Sequence, residues 1–445
     1  MNELHTNVAT EVTAVPLRGV QAQSASLAER WYVLIMMCLV YTLSIADRYV
    51  VSTVLEPIRI ELHLSNFGVA VLTGVAFGLF YVVLGFPLSW LIDRKNRRTI
   101  VAVCLIVWSA MTAVCGLAQT TMQFFFARVG VTVGEAGGTP GANSILSDYF
   151  PASRRAMALT VFSLGAPIGA WLGYNVAGAI ADHYGWRAVF FALGLPGVLA
   201  GVLIWLTVRE PQRGCLDSGK EGLAPSIATT FRFMWAQRSA VHVIMGTAVC
   251  ALWGWGLMYW TTVFLQRTYQ LSVGEAAAVT QNMHLWGGGL ATLATGFLMA
   301  RSGMRDARRI VWLLAAGIAV ATVASWVVYY TRDLSLARAM LWIFIPAIYF
   351  YIGPGFGLLN NLAPCHMRAM FCAVVLFLAN LGNLIIAPAL IGALNDWFVR
   401  AHMSNADALR LAMLCLVPTG FWAAAHLYLA ARDIISDQER ARIFA

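Results

Sequence analysis

The sequence predicts an all-α membrane protein of twelve transmembrane helices, in two related groups of six. Three features predict it: the composition, the recurrence of long apolar stretches, and one long polar connector with a similar local pattern on either side. Of 445 residues, 60% are hydrophobic and 11% charged, with a mean hydropathy of +0.71. Soluble domains carry about a quarter charged residues, so a soluble globular fold is excluded.

A membrane-crossing helix needs about 20 apolar residues. Such stretches lie at residues 31–54, 67–92, 99–118, 121–147, 156–181 and 187–208, then at 241–265, 276–300, 309–330, 337–360, 367–394 and 407–431. The predicted organisation is therefore a tail at 1–30, a first six-helix group at 31–208, a linker at 209–240 containing REPQRG and GKEGLAP, a second group at 241–431 and a tail at 432–445. The first thirty residues carry Glu3, Glu11 and Arg18 without the basic start and short apolar stretch of a signal peptide, so the first crossing is expected to direct insertion.

Alternate loops hold most of the positive charge. One set contains Arg94, Lys95, Arg97 and Arg98, then Arg154 and Arg155, then Arg209, Arg213, Lys220, Arg232 and Arg238, then Arg301, Arg305, Arg308 and Arg309. The other has only scattered Arg59, Arg187, Arg267, Arg332 and Arg400. The richer side is expected to be cytoplasmic, with both termini on it and the chain in a plasma or inner membrane. The formal charge of +9 thus reflects topology, and no nucleic-acid partner is implied. Of 8 cysteines, Cys38, Cys104, Cys115, Cys250, Cys372 and Cys415 sit in apolar stretches, where thiols behave as small hydrophobes, and no disulfide framework is expected.

The second stretch ends Ser89-Trp-Leu-Ile-Asp93-Arg94-Lys-Asn-Arg97-Arg98, and the eighth ends Gly296-Phe-Leu-Met-Ala300-Arg301-Ser-Gly. One such pattern per half marks an internal repeat. Both resemble the glycine-x-leucine-x-aspartate-arginine loop signature of the major facilitator superfamily, with Ser89, Asn96 and Ala300 as departures. The resemblance implies the major facilitator fold, two pseudo-symmetric six-helix bundles around a central cavity. Asp93 at a helix end suits the positive N-terminus of the eleventh crossing, while Arg94 and Arg97 suit nearby acids. Such a latch breaks when the halves rock. A basic cluster that only enforces topology is the alternative.

Inside the membrane, Asp47 and Arg48 fall in the first stretch and Arg128 and Glu135 in the fourth. A mid-membrane charge costs roughly 2.5–3.5 kcal/mol on insertion scales, so these groups must face protein or water. Arg128 and Glu135 are two turns apart, on one face but about 10 Å distant along the axis. Adjacent Asp47 and Arg48 diverge by about 100°, so an Asp47–Arg128 or Arg48–Glu135 contact is expected. A carboxylate whose burial and arginine contact change with cavity opening has what a proton carrier needs. A fixed internal ion-pair network would look the same in sequence.

Gly134, Gly137, Gly138 and Gly141 surround Glu135, permitting close helix approach. Gly165, Ala166, Pro167, Gly169 and Gly173 resemble the superfamily's glycine-proline motif in its fifth crossing. The run Arg128-Val-Gly-Val-Thr-Val-Gly-Glu135-Ala-Gly-Gly-Thr-Pro140, followed by Ser147-Asp148-Tyr-Phe-Pro151-Ala-Ser-Arg154, is similar to the spinster family, as are Asp47-Arg48-Tyr49 and Asn380-Leu-Gly-Asn383 with Pro388 and Asp396. That similarity covers most of residues 40 to 400. It implies Asp47 and Glu135 as proton-responsive acids, Arg128 as the base tuning Glu135, and Arg48 or Arg128 as the contact for an anionic headgroup. Tyr81, Trp260 and His284 are further candidate substrate contacts, and Asp93, Arg94, Arg97, Asp148 and Arg154 are candidate gating residues.

There is no nucleotide-binding glycine loop, no metal-spaced Cys or His cluster and no supported nucleophile. An enzyme is not expected, nor a cofactor or metal. The expectation is proton-coupled, alternating-access transport by a monomer in the lipid bilayer, with protons and an amphipathic anionic lipid such as a lysophospholipid or sphingosine phosphate-like molecule as partners. Symport of a small organic anion or sugar acid uses the same charged residues. A non-transporting receptor on the same fold is the third class.

Overall fold

The computed structural model describes residues 26–211, 226–302, 307–364 and 367–443, and among them all regular structure is helical. Ser26 starts α1 (Leu27–Thr53) by accepting a hydrogen bond from the Glu29 amide, the usual way a serine satisfies a free helix-end donor. Short α2 (Leu55–Glu61) and α3 (Asn66–Ala70) lead through a π-helical turn, Val71–Val75, into α4 (Ala76–Arg94). Then come α5 (Arg97–Cys115), α6 (Thr121–Tyr149), α7 (Ala152–Ser163) and α8 (Gly165–Thr207). After α9 (Ile227–Ala236) follow α10 (Arg238–Tyr269), α11 (Val273–Asn282), the π-turn Met283–Gly288 and α12 (Gly289–Ser302). The chain continues through α13 (Ala307–Tyr330), α14 (Leu334–Phe350), α15 (Ile352–Leu362), α16 (Arg368–Asn380), a third π-turn at Leu381–Ile386, α17 (Ala387–Arg400), α18 (Asn405–Leu416) and α19 (Thr419–Ile443).

Among the described residues, nine helical runs are long and apolar enough to cross a membrane. The run Met157–Thr207 has 51 residues, roughly 75 Å at the rise of an α-helix and more than twice a bilayer core. Within it the backbone turns at Gly185, whose φ of 76° suits a residue without a Cβ. α6 is not among the nine, for Arg128, Glu135 and Asp148 interrupt its apolar character. Phe126, Leu199, Leu206, Val320 and Trp397 face outward, as expected where lipid is the solvent.

Two apolar clusters fill the interior. One joins Leu34, Val50, Leu105, Phe124, Ile145 and Phe190, and the other joins Trp253, Leu257, Phe264, Val311, Phe344 and Phe371. Ile45, Tyr49, Leu55, Val69, Ala70, Ala166, Ala170 and Tyr174 belong to the second cluster, so α1, α2, α3 and α8 are the elements of the first half that meet it. α1 lies hard against α8 because Gly169 and Gly173 leave no side chain between them. A Cβ at Gly173 would stand 2.7 Å from the Ala46 carbonyl, and one at Gly169 would strike that of Thr42. This contact fixes the rotation of α1 and hence where Asp47 and Arg48 point.

The breaks in the long helices have local causes. Pro167 has no N–H for the carbonyl of Ser163, where α7 ends, and Pro388 has none for that of Leu384, inside the third π-turn. The predicted linker and the predicted C-terminal tail both contain helix. α9 lies in the predicted linker, and α19 continues through residues 432–443, where buried Asp437 accepts from the Ser239 amide (3.0 Å) and hydroxyl (2.7 Å). We call the end of the molecule that carries α9 and the close of α19 the linker end.

Candidate functional site

The four intramembrane charges form two crossed pairs. Asp47 Oδ2 accepts from Arg128 Nη1 at 2.7 Å, and Oδ1 accepts from the Thr112 hydroxyl at 2.7 Å. Glu135 Oε1 accepts from Arg48 Nε (2.7 Å) and Nη2 (2.5 Å) and from the Ser44 hydroxyl (2.5 Å). Adjacent positions on α1 thus reach residues two turns apart on α6, because extended guanidinium side chains span the difference. Phe77 on α4 lies between the cations, 5.2 Å from each guanidinium carbon, and the Tyr81 ring is 5.1 Å from Arg48. Facing aromatic rings offset part of the lost hydration of a cation.

The pairs differ in access. Asp47 and Arg128 are 1% and 2% exposed, Glu135 is 1%, but the Arg48 side chain is 25%. Glu135 Oε2 and Arg128 Nε are buried without a hydrogen-bond partner.

Arg48 projects into a central cavity of about 270 Å³ between α1, α10, α15 and α16. α10 contributes Thr247, Ala251, Trp255, Met258 and Tyr259, a face repeating every three or four residues. Opposite lie Ile352, Phe356, Val375 and Leu376, with Asn380 and Asn383 further along the chain. Arg48 is the one charged side chain lining it among the described residues.

The end opposite the linker is clasped between halves at three points. Arg267 on α10 donates to Glu56 (2.5 and 3.1 Å) and to Asn66 (2.8 Å). Asp396 on α17 accepts from the amides of Asn66 (3.0 Å) and Phe67 (2.8 Å) at the start of α3. Asp182 on α8 accepts from the Ser272 hydroxyl (2.6 Å) and the Gly274 amide (2.9 Å) at the start of α11. Both aspartates meet positive helix ends. Burial raises the affinity of Glu56 for a proton, but hydrogen bonds from Arg59 and Arg267 outweigh it and hold the carboxyl below its usual range.

The sequence model of the Major Facilitator Superfamily matches residues 37–387. The chain belongs to the major facilitator superfamily. It is 30% identical to the crystal structure of a bacterial homologue of the human lysosomal transporter spinster, in an inward-facing, unoccupied conformation, with a TM-score of 0.82 over 93% of this chain and 99% of that one. An MFS-type efflux pump of Mycolicibacterium smegmatis is 29% identical over 92% of this chain and 95% of its own length. A probable galactarate/D-glucarate transporter of Bacillus subtilis is 31% identical over 41% of this chain and 42% of its own.

Placed on this superfamily fold, the predicted residues separate. Asp47, Arg48, Arg128 and Glu135 come together, in both expected contacts. Arg128 does not hold Glu135, however: its partner is Asp47, and Arg48 holds Glu135. Tyr81 stands under Arg48 rather than on the cavity wall. Trp260 is also off that wall: it is fully buried, its indole N–H donating to the Pro388 carbonyl at 3.2 Å, because one residue beyond Tyr259 is about 100° around the helix. His284 lies behind Tyr49, fully buried, with Nδ1 2.8 Å from the Tyr349 hydroxyl and its ring 5.0 Å from Tyr49.

Of the gating candidates, the side chain of Asp93 lies outside the described residues. Arg94 stacks 4.2 Å over Trp90, and Arg154 is exposed. Arg97 is buried and ties Asp148 (2.5 Å) to Glu210 at the start of the linker (2.8 Å), without reaching the second half. Ser44, Thr112, Phe77 and the clasp residues Glu56, Asp182 and Asp396 had no assigned role in the sequence. Ser44 was within reach of inference, lying one turn before Arg48 on the same face. The others depend on pairings between distant segments.

Proposed function

We propose that the chain is a proton-coupled secondary transporter that works by alternating access and moves an amphipathic anion, a lysophospholipid-like or sphingosine phosphate-like lipid. One observation carries this reading: two acid–base pairs share α1 and α6 beside a cavity into which, among the described residues, only Arg48 brings charge. Intramembrane ion pairs are functional by default, and this one reaches from a sealed acid to an accessible cation.

In this reading the chain makes twelve crossings in two six-helix bundles. α6, the α11–α12 run and the division at Gly185 supply the three beyond the nine apolar runs. The linker end is cytoplasmic, and the clasped end faces away from the cytoplasm, so the cavity opens inward. Deprotonated Glu135 occupies Arg48. A proton arriving at the unpartnered Oε2 neutralises the carboxyl and frees the guanidinium for the substrate's anion. Proton and anion are therefore taken up together. Asp47 and Arg128 form the second, deeper pair, released when the bundles rock. The protein acts as a monomer in the bilayer and uses no cofactor.

The apolar cavity wall of Ile45, Ile352, Phe356, Val375 and Leu376 favours an amphipathic cargo over a fully polar one. The similarity to a probable galactarate/D-glucarate transporter favours a second cargo, a sugar acid. Purified protein in liposomes loaded with a pH dye tests both, with lysophosphatidylglycerol and D-glucarate as cargoes. Substrate entry should carry protons inward, and that proton movement should be lost in Glu135→Gln. Proton movement and transport unchanged in both Glu135→Gln and Asp47→Asn would sink the proposal. A receptor that does not transport would bind cargo and show no flux.

A further inference from the structure

The second half contributes two carboxamides to the cavity wall, Asn380 and Asn383. Both face a site whose surroundings on α15 and α16 are apolar: Ile352, Phe356, Val375, Leu376 and Ala379. The Asn383 Oδ1 is buried without any hydrogen-bond partner, and neither asparagine side chain is bonded to another group among the described residues. A buried amide left unmatched is unfavourable, and most such groups in folded proteins find a partner. The π-turn beginning at Leu381 places Asn383 in a local geometry that is rare in helices and frequent at functional sites.

Depth in the cavity orders the lining. Following α10 and α1 away from the linker end, Tyr41 and Thr247 come first and Arg48, Ser52 and Tyr259 last. Following α16 in the same direction, Val375 and Leu376 precede Asn380 and Asn383. Arg48 stacks on Phe77 and Tyr81 of α4, and Gly78, between those two rings in sequence, packs against Leu384 and Ile385, so the cation of one half and the carboxamides of the other lie at a similar level of the cavity.

We propose that Asn380 and Asn383 form a hydroxyl-reading subsite, and that the cargo is an anion bearing hydroxyl groups next to its charge, held by Arg48 on one side and by the two amides on the other. This rests on the transport function proposed above. A ligand gripped by both halves draws them together. The same chemistry occurs in a lipid headgroup such as phosphoglycerol and in a free polyhydroxylated acid.

Equilibrium binding to the purified full-length protein, with no gradient present, separates this inference from proton coupling. Two probe pairs differ in hydroxyl groups alone: dodecyl phosphoglycerol against dodecyl propyl phosphate, both singly charged diesters, and D-glucarate against adipate. In at least one pair the hydroxylated member should bind more tightly, and the pair that does so identifies the source. Asn383→Leu and Asn380→Leu should each weaken that member about tenfold and leave its hydroxyl-free counterpart unchanged. Asn383→Ser should recover part of the loss. Size-exclusion profiles matching the wild type show that the variants fold; if Asn383→Leu does not, the Asn380→Leu and Asn383→Ser values decide. Equal binding within both pairs, binding by neither pair, or equal losses for both members of a pair would overturn the inference.

Discussion

Replacing Asp47 by asparagine removes the charge that matches Arg128, and the structure says how severe this must be. Arg128 is 2% exposed, its Nε already lacks a partner, and Asp47 is the one acid it pairs with among the described residues. The cation then stays in the interior with only a neutral amide, the Phe77 ring and its own helix for company. Stripping one partner from a buried pair costs about 3–5 kcal/mol. Glu135→Gln removes the other acid, but Arg48 is 25% exposed in the cavity and faces Tyr81 as well as Phe77. Water reaches that guanidinium, so the loss should be about 1 kcal/mol. Thermal unfolding of the detergent-purified variants, followed by tryptophan fluorescence, should rank Asp47→Asn well below Glu135→Gln. The double variant Asp47→Asn with Arg128→Gln should be more stable than the sum of its single changes by about 2 kcal/mol. Equal destabilisation by the two single variants, or strict additivity in the double, would refute the crossed pairing and its unequal burial.

Glu56→Gln should loosen the clasp at the end opposite the linker, which distance measurements between spin labels on α2 and α11 would show as a longer population. Because the native Glu56 carboxyl is held below its usual range, the clasp is fully formed above the ordinary carboxylate pKa and is lost only as pH falls through the depressed value. Between pH 6 and 8 (about 1.5 units or more above the usual glutamate pKa) those distances should therefore not change. Trp255→Ala should weaken cargo binding about tenfold, whereas Trp260→Phe should leave affinity unchanged and lower the unfolding temperature, the indole being bonded to Pro388. Gly169→Val should abolish recovery of folded protein, since its side chain would meet the Thr42 carbonyl.

Much of the fold was legible because lipid demands it. Apolar length marked the long helices, of which nine runs among the described residues are apolar enough to cross a membrane, and the expense of burying charge singled out Asp47, Arg48, Arg128 and Glu135. What periodicity does not supply is azimuth to within one residue. Tyr259 lines the cavity and Trp260 does not, yet both look alike as aromatic residues in an apolar run. It also does not choose between Arg128 and Arg48 as the partner of Glu135, since that depends on side-chain reach across α1 and α6. The π-turns at Val71–Val75, Met283–Gly288 and Leu381–Ile386 shift the helical register where no sequence count would place it. The aspartates at 182 and 396 read as loop residues until the backbone brings them to the helix starts at Ser272 and Asn66.

In the proposed mechanism cargo movement and proton movement are one event, because Glu135 and Arg48 share a bond. The most direct test is simultaneous recording of cargo uptake and internal pH in liposomes bearing equal amounts of wild type or Glu135→Gln, with no membrane potential. Liposomes bearing the wild type should acidify in step with uptake, and those bearing the variant should lose that coupling. Cargo uptake by the wild type at full rate with no change in internal pH would contradict the mechanism.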